Sequence, residues 1–240
     1  MVGVFPSLPI AIPLDPRQMK RSALVAALLL SPALLAAQTT IGGPGGTFLG
    51  PFGYDPSNTA TYGQTFVTPT TDTRLDAFSF WLGGAPDVHF RAYVYAWDNT
   101  LGHATGNALF TSSLMSGPAG AGYTEVAVST GGVNLTGGGL FVAFFSTTGE
   151  IGSGDNRWSA SMNGYADGHF VYFNNATQAQ WTDATWDGAT SHAAYDAQFS
   201  MTFNAGDVST VPEPASVALL ATGLIGLGGM GLRRRARTQG

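Results

Sequence analysis

The cleanest alternation of apolar and polar residues in the chain is Ala197-Gln198-Phe199-Ser200-Met201-Thr202-Phe203. Successive side chains of a β-strand point to opposite faces, so this segment predicts a strand with one face in an apolar core and the other toward water. The body of the chain has no comparable helical pattern. The segment therefore indicates a protein built from β-sheets.

Six further segments upstream have strand character, namely 64–68, 74–82, 89–97, 123–129, 140–146 and 169–174. The segment 140–146 is apolar at almost every position, which predicts a central strand covered on both faces. Clusters of glycine, proline, aspartate and asparagine separate the segments, as expected for turns. Residues 60–208 therefore predict an all-β ectodomain with two packed antiparallel sheets, a jelly-roll-like β-sandwich.

The composition excludes several classes of protein. The chain has 240 residues and no cysteine, so it has neither a disulfide framework nor a thiolate metal site. Residues 38–210 hold three arginines and no lysine against thirteen acidic residues, a balance of 3 − 13 = −10. Nucleic-acid phosphates would be repelled by this body, so we expect no nucleic-acid partner.

The N-terminal region predicts export. Residues 19–37 contain Lys20 and Arg21, a short apolar stretch, and small residues ending at Ala37, which is the pattern of a signal-peptide helix cleaved after Ala37. Residues 1–18 fit no targeting pattern and are interpreted as a mis-annotated or disordered extension, with translation from Met1 as the open alternative. Residues 38–59 are rich in glycine, proline and threonine and predict a flexible lead-in.

The C-terminal segment 211–240 has three parts. They are the motif Val211-Pro212-Glu213-Pro214, an uncharged apolar run over 215–232, and a basic end with Arg233, Arg234, Arg235 and Arg237. At about 1.5 Å of rise per residue the run covers about 27 Å, which is just enough for a bilayer core of about 30 Å. The arginines follow the positive-inside bias, so the segment predicts a single transmembrane helix with the body on the far side of the membrane.

This three-part tail resembles the PEP-CTERM sorting signal of exported bacterial proteins, which is also labelled as an ice-binding-protein C-terminal domain. The resemblance rests on residues 211–214, the glycine-rich run 223–229 and the arginines from Arg233. It implies an exosortase as partner, a membrane cysteine transpeptidase-like enzyme that cleaves near Pro-Glu-Pro. It also implies membrane anchorage through the C-terminal helix until processing, and a cell-surface or extracellular location afterwards. An ordinary single-pass anchor is the open alternative.

The sequence carries no catalytic motif. It lacks a nucleophile elbow, a His-Glu-x-x-His zinc motif and a phosphate-binding glycine loop with lysine. The only glutamates of the body are Glu125, on a presumed solvent face, and Glu150, in a glycine-flanked turn, so a carboxylate pair for glycoside hydrolysis has no support. We therefore expect no enzymatic activity and no required cofactor.

Calcium is the metal that the composition favours. Ca²⁺ takes hard oxygen ligands from flexible loops, and the body has excess carboxylates next to asparagine and glycine. Asp98 and Asp155, each followed by asparagine, are the first candidates. Aspartate and asparagine are also common turn formers, which is the alternative interpretation.

Three tryptophans, Trp158, Trp181 and Trp186, lie in turn-rich sequence. Exposed indole rings on a rigid β-scaffold can stack on sugar rings while polar neighbours bind the hydroxyls, which makes an extracellular polysaccharide a candidate partner. The alternative is that these rings close the ends of the sandwich as core residues.

Together the sequence predicts an exported, non-enzymatic β-sandwich with a structural or adhesive role. Its expected place is the cell envelope or an extracellular, biofilm-type matrix. The alternative function is a cell-surface carbohydrate-binding module that uses the three tryptophans.

Overall fold

The computed structural model describes residues 38–54, 58–84, 86–189 and 194–205. These residues form thirteen strands and one short helix, α1 (Gln180–Asp183). The strands are β1 (Thr39–Gly43), β2 (Thr47–Gly53), β3 (Thr61–Val67), β4 (Arg74–Gly84), β5 (His89–Asp98), β6 (His103–Thr111), β7 (Met115–Ser116), β8 (Gly120–Asn134), β9 (Leu140–Ser146), β10 (Asp155–Met162), β11 (Phe170–Phe173), β12 (Tyr195–Ala197) and β13 (Phe199–Asn204). The all-β prediction is confirmed.

The strands form two sheets. Sheet A has seven strands in the order β1–β13–β4–β10–β12, with β2 beside β10 and β8 beside β4. Sheet B has six strands in the order β11–β3–β9–β5–β6, with β7 beside β5. The pairings between these strands are antiparallel. The prediction of two antiparallel sheets is therefore confirmed, and the jelly-roll-like connectivity stays a prediction.

Aromatic side chains from both sheets fill the space between them. Phe80 of sheet A meets Phe145 of sheet B edge to face, with ring centroids 5.1 Å apart. Phe203 of sheet A lies 6.1 Å from Phe66 of sheet B, and all four rings are fully buried. Burial of such a side chain stabilises the folded state by roughly 1.5–3 kcal/mol. The alternation at 197–203 thus supplies core residues, as the sequence predicted.

The strand β9 is apolar on both faces because both faces are covered. Phe141, Ala143 and Phe145 belong to the core between the sheets. Val142 and Phe144 belong to a second apolar cluster on the other face of sheet B, which includes side chains of α1 and the loop after it. The prediction of a central strand covered on both faces is confirmed.

The predicted flexible lead-in over 38–59 is wrong for most of its length. Residues 39–43 and 47–53 are the strands β1 and β2, which pair with β13 and β10. The glycines of β1 serve close packing: a Cβ at Gly42 would lie 2.6 Å from the carbonyl oxygen of Phe199. Phe52 of β2 is fully buried in the core. The body therefore begins at β1.

The predicted targeting segments, 1–18, 19–37 and 211–240, lie outside the described residues. Among the residues that are described, no helix has the length and apolar character needed to cross a bilayer.

Candidate functional site

The described chain ends at one end of sheet A, which we name the tail end and define by Thr39, Arg74 and Asn204. The last strand, β13, lies between β1 and β4, so these three residues are neighbours in the sheet. Side-chain hydrogen bonds close this end, because Thr39 donates to Asp72 and Asn204 donates to Asp76. The first and last strands of the described body thus meet where the chain continues toward residue 210.

The opposite end of the strands, which we name the far end, carries two cavities. Strand β4 runs from Arg74 at the tail end to Gly84 at the far end. Strand β9 of sheet B runs in the same direction and ends at Ser146 at the far end. The loop before β9 lies at the tail end, where Leu135 N donates a hydrogen bond to Thr73 O (2.9 Å). The lining of the first cavity includes Thr147, which follows Ser146, and the lining of the second includes Gly84, the last residue of β4.

The first cavity, of about 340 Å³, has a polar lining. The lining residues are Gly53, Tyr54, Asn58, Ala60, Thr147, Thr148, Gly149, Glu150, Asn174, Asn175 and Ala176. Asn175 is buried, accepts a hydrogen bond from Thr61 Oγ1 (2.7 Å) and donates one to Thr148 Oγ1 (2.8 Å). Glu150 accepts a hydrogen bond from Arg91 Nε at 2.6 Å. These polar groups bind one another and close the far end of sheet B.

The second cavity, of about 380 Å³, opens beside the last residues of β4. Its lining residues are Gly83, Gly84, Gly120, Ala121, Asp155 and Arg157. The guanidinium carbon of Arg157 lies 5.7 Å from the centroid of the exposed Phe48 ring, a cation–π contact. Among the described residues, the first cavity has the carboxylate of Glu150 in its lining and the second has that of Asp155.

The three tryptophans proposed for sugar binding are buried. Trp158 lies in β10 and packs in the core, 4.6 Å from the Phe80 ring. Trp181 and Trp186 pack around Phe144 on the outer face of sheet B, at centroid distances of 5.0 and 5.2 Å. Their exposures are 0%, 1% and 1%. A sugar ring needs an open aromatic face, so the hypothesis of a sugar-stacking site on these residues is corrected: they are core residues.

The two aspartates proposed for calcium lie far apart in the fold. Asp98 is the last residue of β5, at the tail end of that strand, and its Oδ1 accepts hydrogen bonds from Thr100 N (2.8 Å) and Leu101 N (2.9 Å) in a turn. Asp155 lines the second cavity with Arg157. Within the ranges that the structure describes, no three histidine, aspartate or glutamate residues form a group that could hold a metal ion. Calcium at either aspartate stays a prediction.

The three histidines in the described residues serve different local contacts. His89 Nδ1 lies 3.0 Å from Ser116 Oγ, and His103 Nδ1 lies 2.7 Å from Ala104 O. His169 Nε2 lies 3.1 Å from Ala189 O and donates to it. Burial lowers the pKa of His169, partly offset by that hydrogen bond and by the charge of Asp196.

Residues 210–235 match the family model described as the PEP-CTERM protein-sorting motif. The match contains Val211 to Pro214 and the arginines 233–235, and it begins 210 − 204 = 6 residues after Asn204. A comparison of the chain with curated proteins found no match. The motif implies export, a membrane-anchored tail before processing, and processing by an exosortase. The chain thus contains a two-sheet antiparallel β-body followed by a PEP-CTERM protein-sorting motif.

Proposed function

We propose that this chain is an exported structural and adhesive protein of the cell envelope or extracellular matrix. Its sorting motif directs its delivery, and its β-sandwich body performs the structural role. The observation that carries the proposal is the short connection between the two parts. The body ends at Asn204 and the motif begins at residue 210. At about 3.6 Å per extended residue, six residues reach about 20 Å at most. The tail end of the body therefore stays close to the start of the sorting motif while the tail is attached.

The position of β13 fits completion of the fold after export. β13 lies between β1 and β4 inside sheet A, and it immediately precedes the tail. Sheet A cannot be completed until β13 has crossed the membrane. The body accordingly folds on the same side as the part of the tail that an exosortase reads.

A non-catalytic role fits the contents of the cavities. The carboxylate of Glu150 is held by Arg91, and the amide of Asn175 is held by threonine hydroxyls. Groups bound to one another in this way stiffen the far end, which suits a structural role. Adhesion would use the outer surface of the body, because the three tryptophans are buried.

The processing experiment uses the full chain in a bacterium with its exosortase and in a matched strain without it. Intact mass of the cell-associated and released protein is expected to show loss of everything after about Pro214 only where the enzyme is present. Replacement of Pro212, Glu213 and Pro214 by alanine should retain the terminal arginines, whereas the control pair Asp207→Ala and Ser209→Ala should be processed normally. Terminal arginines retained in both strains would indicate a plain anchor and contradict the proposal.

The structural role needs a separate test. A strain that lacks the chain is expected to retain less extracellular matrix than the parent strain. The full chain should restore retention, whereas the same signal peptide and tail around an unrelated folded reporter should not. Equal restoration by the reporter would contradict a role for the body.

A further inference from the structure

One outer strand of sheet A, β8, is long and open at its free edge. It spans Gly120–Asn134, 15 residues, and most of its side chains are exposed. β8 pairs with β4 through Asn134↔Arg74 to Gly120↔Gly84 and with no other described strand. Within the described ranges, its other edge therefore presents backbone N–H and C=O groups that pair with no strand, and such groups readily template the addition of another strand.

The other outer strands carry features that discourage strand addition. β1 has 5 residues and β11 has 4. β2 contains Pro51, and β6 pairs with β5 through an irregular register. β8 also pairs with β4 through register shifts, between Leu75 and Ala77 and between Leu82 and Gly84, so its regular part is residues 124–129. Natural sheets protect their edges with short strands, prolines, bulges and charges. β8 has no proline and no lysine, and Glu125 is its only charged residue.

We infer that β8 is a self-association edge, at which β8 of a second copy pairs in antiparallel fashion and continues sheet A across both copies. The midpoint of the strand, (120 + 134)/2 = 127, is Ala127. A two-fold axis there pairs residues 125–129, which lie in the regular part of β8, with the same residues of the second copy. The pairing gives the proposed structural role a partner and rests on that role for its biological meaning, whereas strand addition itself needs only the folded body.

This register suits the side chains of β8. Residues directly opposite one another in an antiparallel pair point to the same face of the sheet. Pairing around Ala127 places Val126 opposite Val128, and Val128 is a buried core residue. It also places Glu125 opposite Ser129, so the two carboxylates of the pair do not face each other. Like charges directly opposite would destabilise the pairing.

The chain has no cysteine, so a single introduced cysteine reports on this contact without background. Opposed residues in an antiparallel pair have Cα atoms about 4.5–5.5 Å apart, which is within the usual Cα separation of a disulfide, about 4.4–6.8 Å. The full chain with Ala127→Cys, oxidised in its own membranes, is therefore expected to give a dimer on a non-reducing gel.

Two controls test the place and the register. Ser200→Cys lies in β13, separated from β8 by β4, and should give no dimer. Ser129→Cys lies on β8, but the two cysteines would be four residues apart in register, about 13 Å, and should give no dimer either. Protease resistance of each variant checks folding.

A second measurement uses two differently tagged full chains in one cell. Ala127→Lys places two ammonium groups opposite each other and is expected to abolish their co-purification. Folded Ala127→Cys that gives no dimer, an equal dimer from Ser200→Cys, or co-purification unchanged by Ala127→Lys would overturn the proposal. The last outcome would assign association to the tail. These results do not depend on processing, so they are separate from the sorting experiment.

Discussion

Gln64 Nε2 donates a hydrogen bond to Asp196 Oδ1 at 2.9 Å, and this contact joins sheet B to sheet A inside the body. Asp196 Oδ2 also accepts hydrogen bonds from the backbone N–H groups of Gly164 (2.8 Å) and Tyr165 (3.0 Å). Gln64 Oε1 accepts one from Ala197 N at 2.9 Å. Both side chains are buried, so the network replaces water that folding removes from them.

Asp196→Ala is expected to destabilise the body by about 3 kcal/mol, because one N–H of the buried Gln64 amide and the backbone N–H groups of Gly164 and Tyr165 lose the carboxylate that accepts their hydrogen bonds. Urea unfolding measures the loss. The control is Asp183→Ala, which removes an exposed carboxylate at the end of α1 and should change stability by less than about 0.5 kcal/mol. Equal stability of the two variants would contradict a tie between the sheets through Asp196.

Trp181→Ala is expected to cost about 3–5 kcal/mol, because the ring is 1% exposed and covers Phe144 and Tyr93 on the outer face of sheet B. The matched control is Trp81→Ala, whose ring lies partly exposed on the outer face of sheet A and should cost less. The measurement is urea unfolding followed by tryptophan fluorescence. A loss for Trp181→Ala no larger than that of the control would contradict the assignment of this ring to the apolar cluster.

Alkaline pH is expected to destabilise the body through its buried tyrosines. Burial raises the pKa of Tyr62 to about 12 and that of Tyr93 to about 12, against an ordinary value of 10.0. The unfolded chain therefore loses these protons first, and stability falls as the pH rises above 10 toward 12. One pKa unit corresponds to about 1.4 kcal/mol, so the rise of the Tyr62 pKa from 10.0 to about 12 alone corresponds to a loss of roughly 3 kcal/mol.

Tyr62→Phe separates this effect from packing. At neutral pH it should cost about 1 kcal/mol, because Tyr62 Oη donates a hydrogen bond to Gly50 O at 2.7 Å. Above pH 10 its stability should fall less steeply than that of the original chain. Parallel curves of free energy against pH would show that Tyr62 does not carry the alkaline loss.

The strands that sequence could predict are those with a continuous apolar run or a clear alternation of apolar and polar residues. Residues 140–146 match β9 in bounds and in burial on both faces. β1 and β2 escaped prediction because their glycines and Pro51, which are typical of loops, permit close packing of neighbouring backbones. β10 escaped because turn-forming residues precede it. The alternation also did not predict the break at Gln198, which separates β12 from β13. The backbone N–H of Gln198 donates a hydrogen bond to Ser159 O at 2.7 Å.

The candidate sites also differ in how far the sequence could predict them. The sorting motif is linear, so its residues are adjacent in sequence and the tail could be identified from the order of its residues alone. The burial of Trp181 and Trp186 could not be predicted, because α1 has four residues and the loop around it has no periodicity. Their contacts with Phe144 depend on a fold that brings distant segments together. The cavities depend on the same long-range pairing.

Acid is expected to destabilise the body through His169. Burial lowers the pKa of this imidazole below its ordinary 6.5, and the neutral ring donates from Nε2 to Ala189 O. As the pH falls through 6.5, His169 of the unfolded chain binds a proton, whereas His169 of the folded chain is still neutral. Stability is therefore full above pH 6.5 and is lost on descent from there to the pKa of the folded state.

His169→Asn should lower stability at pH 8 but flatten its dependence on pH below 6.5, because asparagine offers an amide donor and takes up no proton. His89→Asn, which changes a ring that contacts Ser116 at the surface, is the matched control for the effect of exchanging a histidine for asparagine. Free energies of unfolding in urea from pH 5 to 8 provide the comparison. If His169→Asn kept the original slope, His169 would not carry the acid sensitivity.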